Sequence, residues 1–148
     1  MIYIATDHAG FEVSQKVTKF LTEKRIKFED LGPKTLDKLD DYPDYAFRLA
    51  QKTAQEPENF GILVCRSGAG MAISANKVKG IRAVVCMSTL QAKKARDHNN
   101  ANVLVLAADY TNFSDIKKII TTFLRTPFSN EERHQRRLLK ISQFEEEK

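Results

Sequence analysis

Ile62-Leu63-Val64-Cys65-Arg66-Ser67-Gly68-Ala69-Gly70 decides how this chain folds. Its first residues form a short apolar run of the kind that makes a strand buried on both faces, and the small residues after it lead into a short helix. Runs of the same character recur on either side: Ile2 to Ala5, Phe28 to Leu31, Ile81 to Cys86 and Val103 to Ala107. Between them apolar residues fall at helical spacing. Val13, Val17, Phe20 and Leu21 share one face, as do Ala46, Leu49, Ala50 and Thr53, and then Ile116, Ile119, Ile120 and Phe123. Alternating strands and helices call for parallel neighbours, because each crossover helix must pack back on the sheet. The expected fold is therefore α/β, a Rossmann-like, doubly wound, five-stranded parallel sheet with helices on both faces.

Turn residues agree with these boundaries. Gly32-Pro33 follows the second run, Pro43 stands just before the second helix and Pro127 closes the fifth. Ser129 and Glu132 have capping-box spacing, which predicts an extra C-terminal helix from about residue 130 to 148 carrying Leu138, Ile141 and Phe144. No strand follows it. Such a helix packs either on its own domain or on a second copy, and the expectation here is a homodimer, with a dimer of dimers as its extension.

The chain's 148 residues suit a single domain spanning 1–148, and 42% apolar with 29% charged residues is a globular composition. No run approaches the roughly 18 apolar residues of a membrane span, and Met1 leads directly into the first strand without a leader pattern. The expectation is a soluble cytoplasmic protein with no membrane partner. A net charge of +5 is a modest excess for a nucleic-acid binder, and no aromatic-basic motif accompanies it. Cys65 and Cys86 lie far apart without a C-x-x-C, so neither a disulfide framework nor a thiolate zinc site is expected.

In open α/β sheets ligands bind beyond the carboxyl ends of the strands. The loops there are Thr6-Asp7-His8-Ala9-Gly10, Cys65 to Gly70, Met87-Ser88 and Ala107-Ala108-Asp109, and the helix before the fifth strand adds Arg96, His98 and Asn99. The Ser67, Gly68, Ala69 and Gly70 amides, at a helix start, can cradle an oxyanion or a phosphate. Glycines that merely allow a tight turn would look the same. Cys65 stands beside them, where a thiol tends toward a lowered pKa and can serve as base or nucleophile, whereas Cys86 reads as a buried small hydrophobe. Three other readings of the loop fail on spacing. Ile73 stands where a dinucleotide fingerprint needs glycine, G-x-x-x-x-G-K-[ST] is absent, and Met71 stands where a cysteine-phosphatase loop needs arginine.

Asp7-His8-Ala9-Gly10, Asp41-Tyr42-Pro43, Gly61 to Cys65 with Ser67 to Met71, Ser74 to Ala83, Arg96 with His98-Asn99, Ala101 to Leu104, and Arg133-His134 with Arg137 and Lys140-Ile141 occur in one order along nearly the whole chain. Together they resemble the ribose-5-phosphate isomerase B / galactose-6-phosphate isomerase family. The resemblance implies aldose-ketose isomerisation of a phosphorylated sugar, without metal or organic cofactor, in a dimer whose sites combine loops of one subunit with arginines of the other. It makes Cys65 the base, with Met71 where some members carry a carboxylate, and Ser67 a hydrogen-bonding neighbour. His98 would open the sugar ring, Asp7 and His8 would contact the substrate, Asn99 would hold an enediolate oxygen, and Tyr42 would wall the pocket. Taken alone, His98 reads as a capping or solvent-facing residue at a helix end.

Arg133 and Arg137, four apart, share a helix face and can clamp a phosphate. Nearby glutamates also allow an ion-paired surface, and the resemblance favours the clamp. Two positions depart from the family pattern. Arg66 replaces the usual glycine, and Ala107-Ala108-Asp109 replaces Gly-x-Arg. The expectation is that Arg66 partly supplies the missing cation while Asp109 turns towards an arginine or solvent. Ribose 5-phosphate and ribulose 5-phosphate are the expected pair; galactose 6-phosphate or allose 6-phosphate, and a non-catalytic sugar-phosphate-binding protein, are the alternatives.

Overall fold

The computed structural model describes residues 1–147; Lys148, part of the single-domain and C-terminal-helix expectations, lies outside the described residues. The five strands are β1 (Ile2–Thr6), β2 (Phe28–Asp30), β3 (Phe60–Cys65), β4 (Ala83–Val85) and β5 (Val103–Ala107). All pair in parallel in the order β2-β1-β3-β5-β4. β2 lies on one side of β1 and β3 on the other, so the connections diverge between the ends of β1 and β3 and open a crevice there. Cys65 is the last residue of β3, and Asp7 directly follows β1.

The helices are α1 (Phe11–Glu23), α2 (Tyr42–Thr53), α3 (Ala69–Ala75), α4 (Thr89–Asn99), α5 (Phe113–Arg125) and α6 (Glu132–Glu146). Residues of α1, α4 and α5 pack with Ile4, Ile62 and Leu104 on one face of the sheet, and those of α2 and α3 pack with Ala5, Leu63 and Val105 on the other. The apolar stripes do what their spacing requires. Ala46, Leu49, Ala50 and Thr53 are the buried residues of α2, and Ile116, Ile119, Ile120 and Phe123 those of α5. Ser88 caps α4 by accepting from the Gln91 N–H at 3.2 Å, and Asn112 caps α5 through the Asp115 N–H at 2.9 Å.

Several boundaries differ from expectation. The second strand stops at Asp30, and the fourth is only Ala83–Val85 because Ile81 is held in a turn by Val78, Ile81 N–H donating to its carbonyl at 3.1 Å. Pro43 lies inside the first turn of α2, where its missing N–H is not needed. The Ser129–Glu132 capping box does not form. The Ser129 hydroxyl instead meets His134 Nδ1 at 2.7 Å and accepts from the Glu131 N–H at 3.2 Å, so α6 begins at Glu132.

Topology separates the two ends of the sheet. Because β4 and β5 are parallel, α4 must run from the carboxyl edge back to the amino edge, and its 11 residues span about 16 Å. His98 and Asn99, at its end, therefore lie at the edge opposite Cys65. The start of α6 docks there, with Ser129 N–H donating to Asp97 O at 3.0 Å. Along the rest of α6 Leu139 and Ile141 are 57% and 48% exposed. No helix among the described residues is long and apolar enough to cross a membrane.

Candidate active site

At the crevice the ends of β1 and β3 are tied side to side, the Thr6 hydroxyl donating to the Val64 carbonyl at 2.9 Å. This brings Asp7 against Cys65: the thiol donates to Asp7 Oδ2 at 3.2 Å while Oδ1 accepts the Gly10 N–H at 3.1 Å. Asp7 is buried, with one carboxylate oxygen on the Cys65 sulfur and the other on the Gly10 amide. Desolvation, then the Asp7 charge and its hydrogen bond, push the Cys65 thiol up to about 11, while the Arg66 and Gly68 amides pull the other way. The lowered thiol pKa expected from the helix start is thus reversed, because burial and an adjacent carboxylate outweigh two amides.

An Asp7→Asn substitution removes the charge and leaves the burial. Alkylation of Cys65 by iodoacetamide at pH 8.5 is expected to quicken, roughly tenfold for each unit by which the thiol pKa falls. Mass spectrometry of the two cysteine peptides reads this, with Cys86, buried and pushed up to about 12 by desolvation, as internal reference. An unchanged rate would mean that burial alone sets the thiol.

The turn after Cys65 needs its glycines for two separate reasons. Gly68 has φ +80°, and a Cβ there would also press the Val105 and Val85 methyls at 3.2 Å. At Gly70 a Cβ would lie 2.5 Å from the Tyr42 ring, so the phenol covers the loop closely. The Ser67 side chain is exposed, its Oγ accepting loosely from the Ala69 N–H at 3.4 Å. Met71 is fully buried beneath the loop, in the same apolar cluster as Cys65.

Beside this turn a cleft of about 510 Å³ is lined by His8, Leu36, Lys38, Arg66, Ala108 and Asp109. Arg66 Nε stands 3.7 Å from Asp109 Oδ2, with both side chains largely exposed. The expected turning of Asp109 towards an arginine is what the structure has, and it means that Arg66 faces the cleft with its charge partly offset. His8 Nδ1 lies 2.6 Å from Asp40 Oδ1, which also accepts the His8 main-chain N–H at 3.1 Å. Asp40 was not legible as a site residue. It sits in a run of aspartates, and only the path of the β2–α2 connection brings it to His8.

A second group gathers at the opposite edge. His98 stacks on His134 with ring centroids 4.4 Å apart, and its Nε2 lies 3.2 Å from Lys94 Nζ and 3.5 Å from Asp97 Oδ2. Burial and the neighbouring His98 ring push the His134 imidazole down. Asn99 is exposed, and Arg133 is held by Glu131 at 2.9 Å with Arg137 one turn further along α6. The structure therefore brings together Asp7, His8, Tyr42, Cys65, Arg66, Ser67, Gly68, Ala69 and Gly70, and keeps His98, Asn99, Arg133 and Arg137 apart from them within one chain.

Arg96, on the same helix as His98, belongs to the core. It is 8% exposed, stacks 4.8 Å from the Phe60 ring centre and donates to Ala101 O at 2.7 Å and Asn100 Oδ1 at 2.8 Å. Among the described residues no cluster of His, Cys, Asp and Glu is arranged to hold a metal ion.

Known proteins resemble this chain over nearly its whole length. A probable ribose-5-phosphate isomerase B of Mycoplasma pneumoniae is 44% identical over 147 residues, covering 99% of this chain and 96% of the relative. Ribose-5-phosphate isomerase B of Mycobacterium tuberculosis is 34% identical over 144 residues, 97% of this chain and 89% of the relative. The crystal structure of ribose-5-phosphate isomerase B from Mycoplasma genitalium with bound ribulose-5-phosphate superposes with a TM-score of 0.95 at 41% identity, covering 99% of this chain and 97% of that one. The corresponding enzyme of Thermotoga maritima gives 0.91 at 44% identity, over 96% and 97% of the two chains. With the Ribose/Galactose Isomerase family model matching residues 2–141, the chain belongs to that family.

Proposed function

We propose that the chain is an aldose-ketose isomerase of phosphorylated sugars, with ribose 5-phosphate and ribulose 5-phosphate as its substrate pair. One observation carries the reading: a sulfur at the end of β3, in the crevice beside β1, with main-chain amides on one side and a carboxylate on the other. The likeness to a structure holding ribulose-5-phosphate supports the choice of sugar.

The base is Cys65 in its thiolate form, which takes the proton from C2 of the open-chain aldose. The thiol hydrogen then points to Asp7 Oδ2, as it does in the structure, and the proton returns to C1 while the O2 hydroxyl proton passes to O1, completing the ketose. The Ser67 to Gly70 amides and Asn99 stabilise the enediolate oxygen. Tyr42 closes the wall over Gly70. His98 transfers the proton that opens the sugar ring, as an imidazole can near neutral pH.

His98, Asn99, Arg133 and Arg137 reach this point only from a partner subunit, so the working form is a homodimer with sites shared between copies. The exposed apolar residues Leu139 and Ile141 on α6, and Ile73, Met87 and Leu90 near the carboxyl edge, support such a covered face. The absence of a membrane-spanning helix among the described residues, together with two free cysteines, supports a cytoplasmic enzyme.

The phosphate lies between the Arg133 and Arg137 pair and the cleft lined by His8, Lys38 and Arg66. Arg66→Gly is expected to raise KM for the sugar phosphate several-fold with kcat nearly unchanged, a limited effect because Asp109 already offsets part of the charge. An unchanged KM would remove Arg66 from the site. The activity itself is tested by incubating the purified protein with five- and six-carbon aldose phosphates in D2O. Deuterium entering with ketose formation supports the isomerase. Preference for a six-carbon substrate would replace the assigned sugar, and binding without exchange at C2 would leave only a binding protein.

A further inference from the structure

We propose that Asp40 is a positioning residue of this site, holding His8 so that one defined ring nitrogen is presented to the charged end of the substrate; this rests on the sugar-phosphate reading above. Two contacts converge on the same oxygen. Asp40 Oδ1 receives the His8 main-chain N–H at 3.1 Å and His8 Nδ1 at 2.6 Å, so the backbone and the ring are fixed together from 32 residues away. With Nδ1 committed to a carboxylate, Nε2 is the ring atom left for a ligand. His8 is 34% exposed, and its cleft also carries Lys38 and Arg66. That company of cations suits an anionic group rather than the reacting carbons.

Fold stability alone does not account for this carboxylate. The Asp40 side chain is 6% exposed, and its Oδ2 is buried without a hydrogen-bond partner among the described residues. A buried charge is costly even with the Tyr45 phenol beside it, and an apolar residue would avoid that cost. What the carboxylate supplies and an apolar residue would not is an acceptor for a proton on Nδ1, so that a ring protonated on both nitrogens keeps Nδ1–H on Asp40 and donates Nε2–H to the anion. Imidazole rotation about its second torsion is broad and two-fold, so without Asp40 the ring can turn over and exchange its nitrogens. The substrate would then bear the ordering cost on binding. Tyr45, whose phenol is pushed up by burial and by the Asp40 charge, packs beside the carboxylate from α2 and helps to fix its place.

The test is Asp40→Asn, which keeps the shape but removes the carboxylate charge that pairs with the ring at Nδ1. KM for ribose 5-phosphate is expected to rise about tenfold with kcat within about twofold, as for loss of a charge-assisted contact outside the reacting atoms. In a His8→Ala background, adding Asp40→Asn is expected to change KM no further, since the two act as one unit. Nitrogen-15 NMR of the wild-type ring should show Nδ1 protonated, and the variant should lose that preference. Additive effects in the double variant, a fall in kcat at constant KM, or a wild-type ring without a proton on Nδ1 would each overturn the proposal. If the wild type turned over no sugar phosphate, the functional reading would fail separately. The ring spectrum, and its response to added ribose 5-phosphate in wild type against Asp40→Asn, would still decide the role of Asp40.

Discussion

Cys65→Ala is expected to lower turnover by about 10³-fold, the scale of losing the group that carries the proton between carbons. The side chain is small and 8% exposed, so the fold should tolerate the change at a cost of about 1 kcal/mol. Sugar-phosphate binding should survive, because the cations assigned to the phosphate lie elsewhere. The decisive measurement pairs a binding titration with deuterium exchange at C2, the first retained and the second lost. Turnover within an order of magnitude of wild type would move the base to another group, and Asp7, in contact with the sulfur at 3.2 Å, would be the next to test.

Mixing two inactive variants should restore activity. Cys65→Ala and His98→Ala each damage a different half of the site, and α4 sets those halves at opposite edges of one chain. In a mixed dimer one of the two sites would draw Cys65 and His98 from the undamaged positions. Random assortment gives half the dimers as mixed, so refolding an equal mixture should recover about a quarter of wild-type activity, as the symmetry of a two-fold assembly requires. Recovery should depend on subunit exchange and vanish when the variants are mixed without it. Failure to recover after verified exchange would place the complete site within a single subunit and contradict the shared-site reading.

The parts of the site legible in the sequence were those whose chemistry depends on neighbours along the chain. The Cys65 to Gly70 turn was one such part, because a strand end, small residues and a thiol are local facts. The Arg133 and Arg137 pair proposed for the phosphate was another, since the helical repeat puts them on one face whatever else happens. What failed was contextual. The direction of the thiol pKa is not a local property, because it depends on Asp7, 58 residues away, and on burial. The capping box failed because the His134 ring claims the Ser129 hydroxyl. Arg96 lay beside His98 in sequence yet points into the core, where Phe60 and main-chain carbonyls hold it.

The sequence by itself determined the alternation of strands and helices, and hence a parallel sheet, because periodicity and turn chemistry act over a few residues. It also determined which loops would meet at the carboxyl edge, since every parallel strand must end there. Only the tertiary structure decided that Asp7 faces Cys65, that Asp40 holds His8, that Arg66 meets Asp109, and that His98 stands at the far edge. Those relations depend on strand order, on helix direction and on the route of one connection, and each is fixed by the burial of the whole core rather than by any stretch of neighbouring residues.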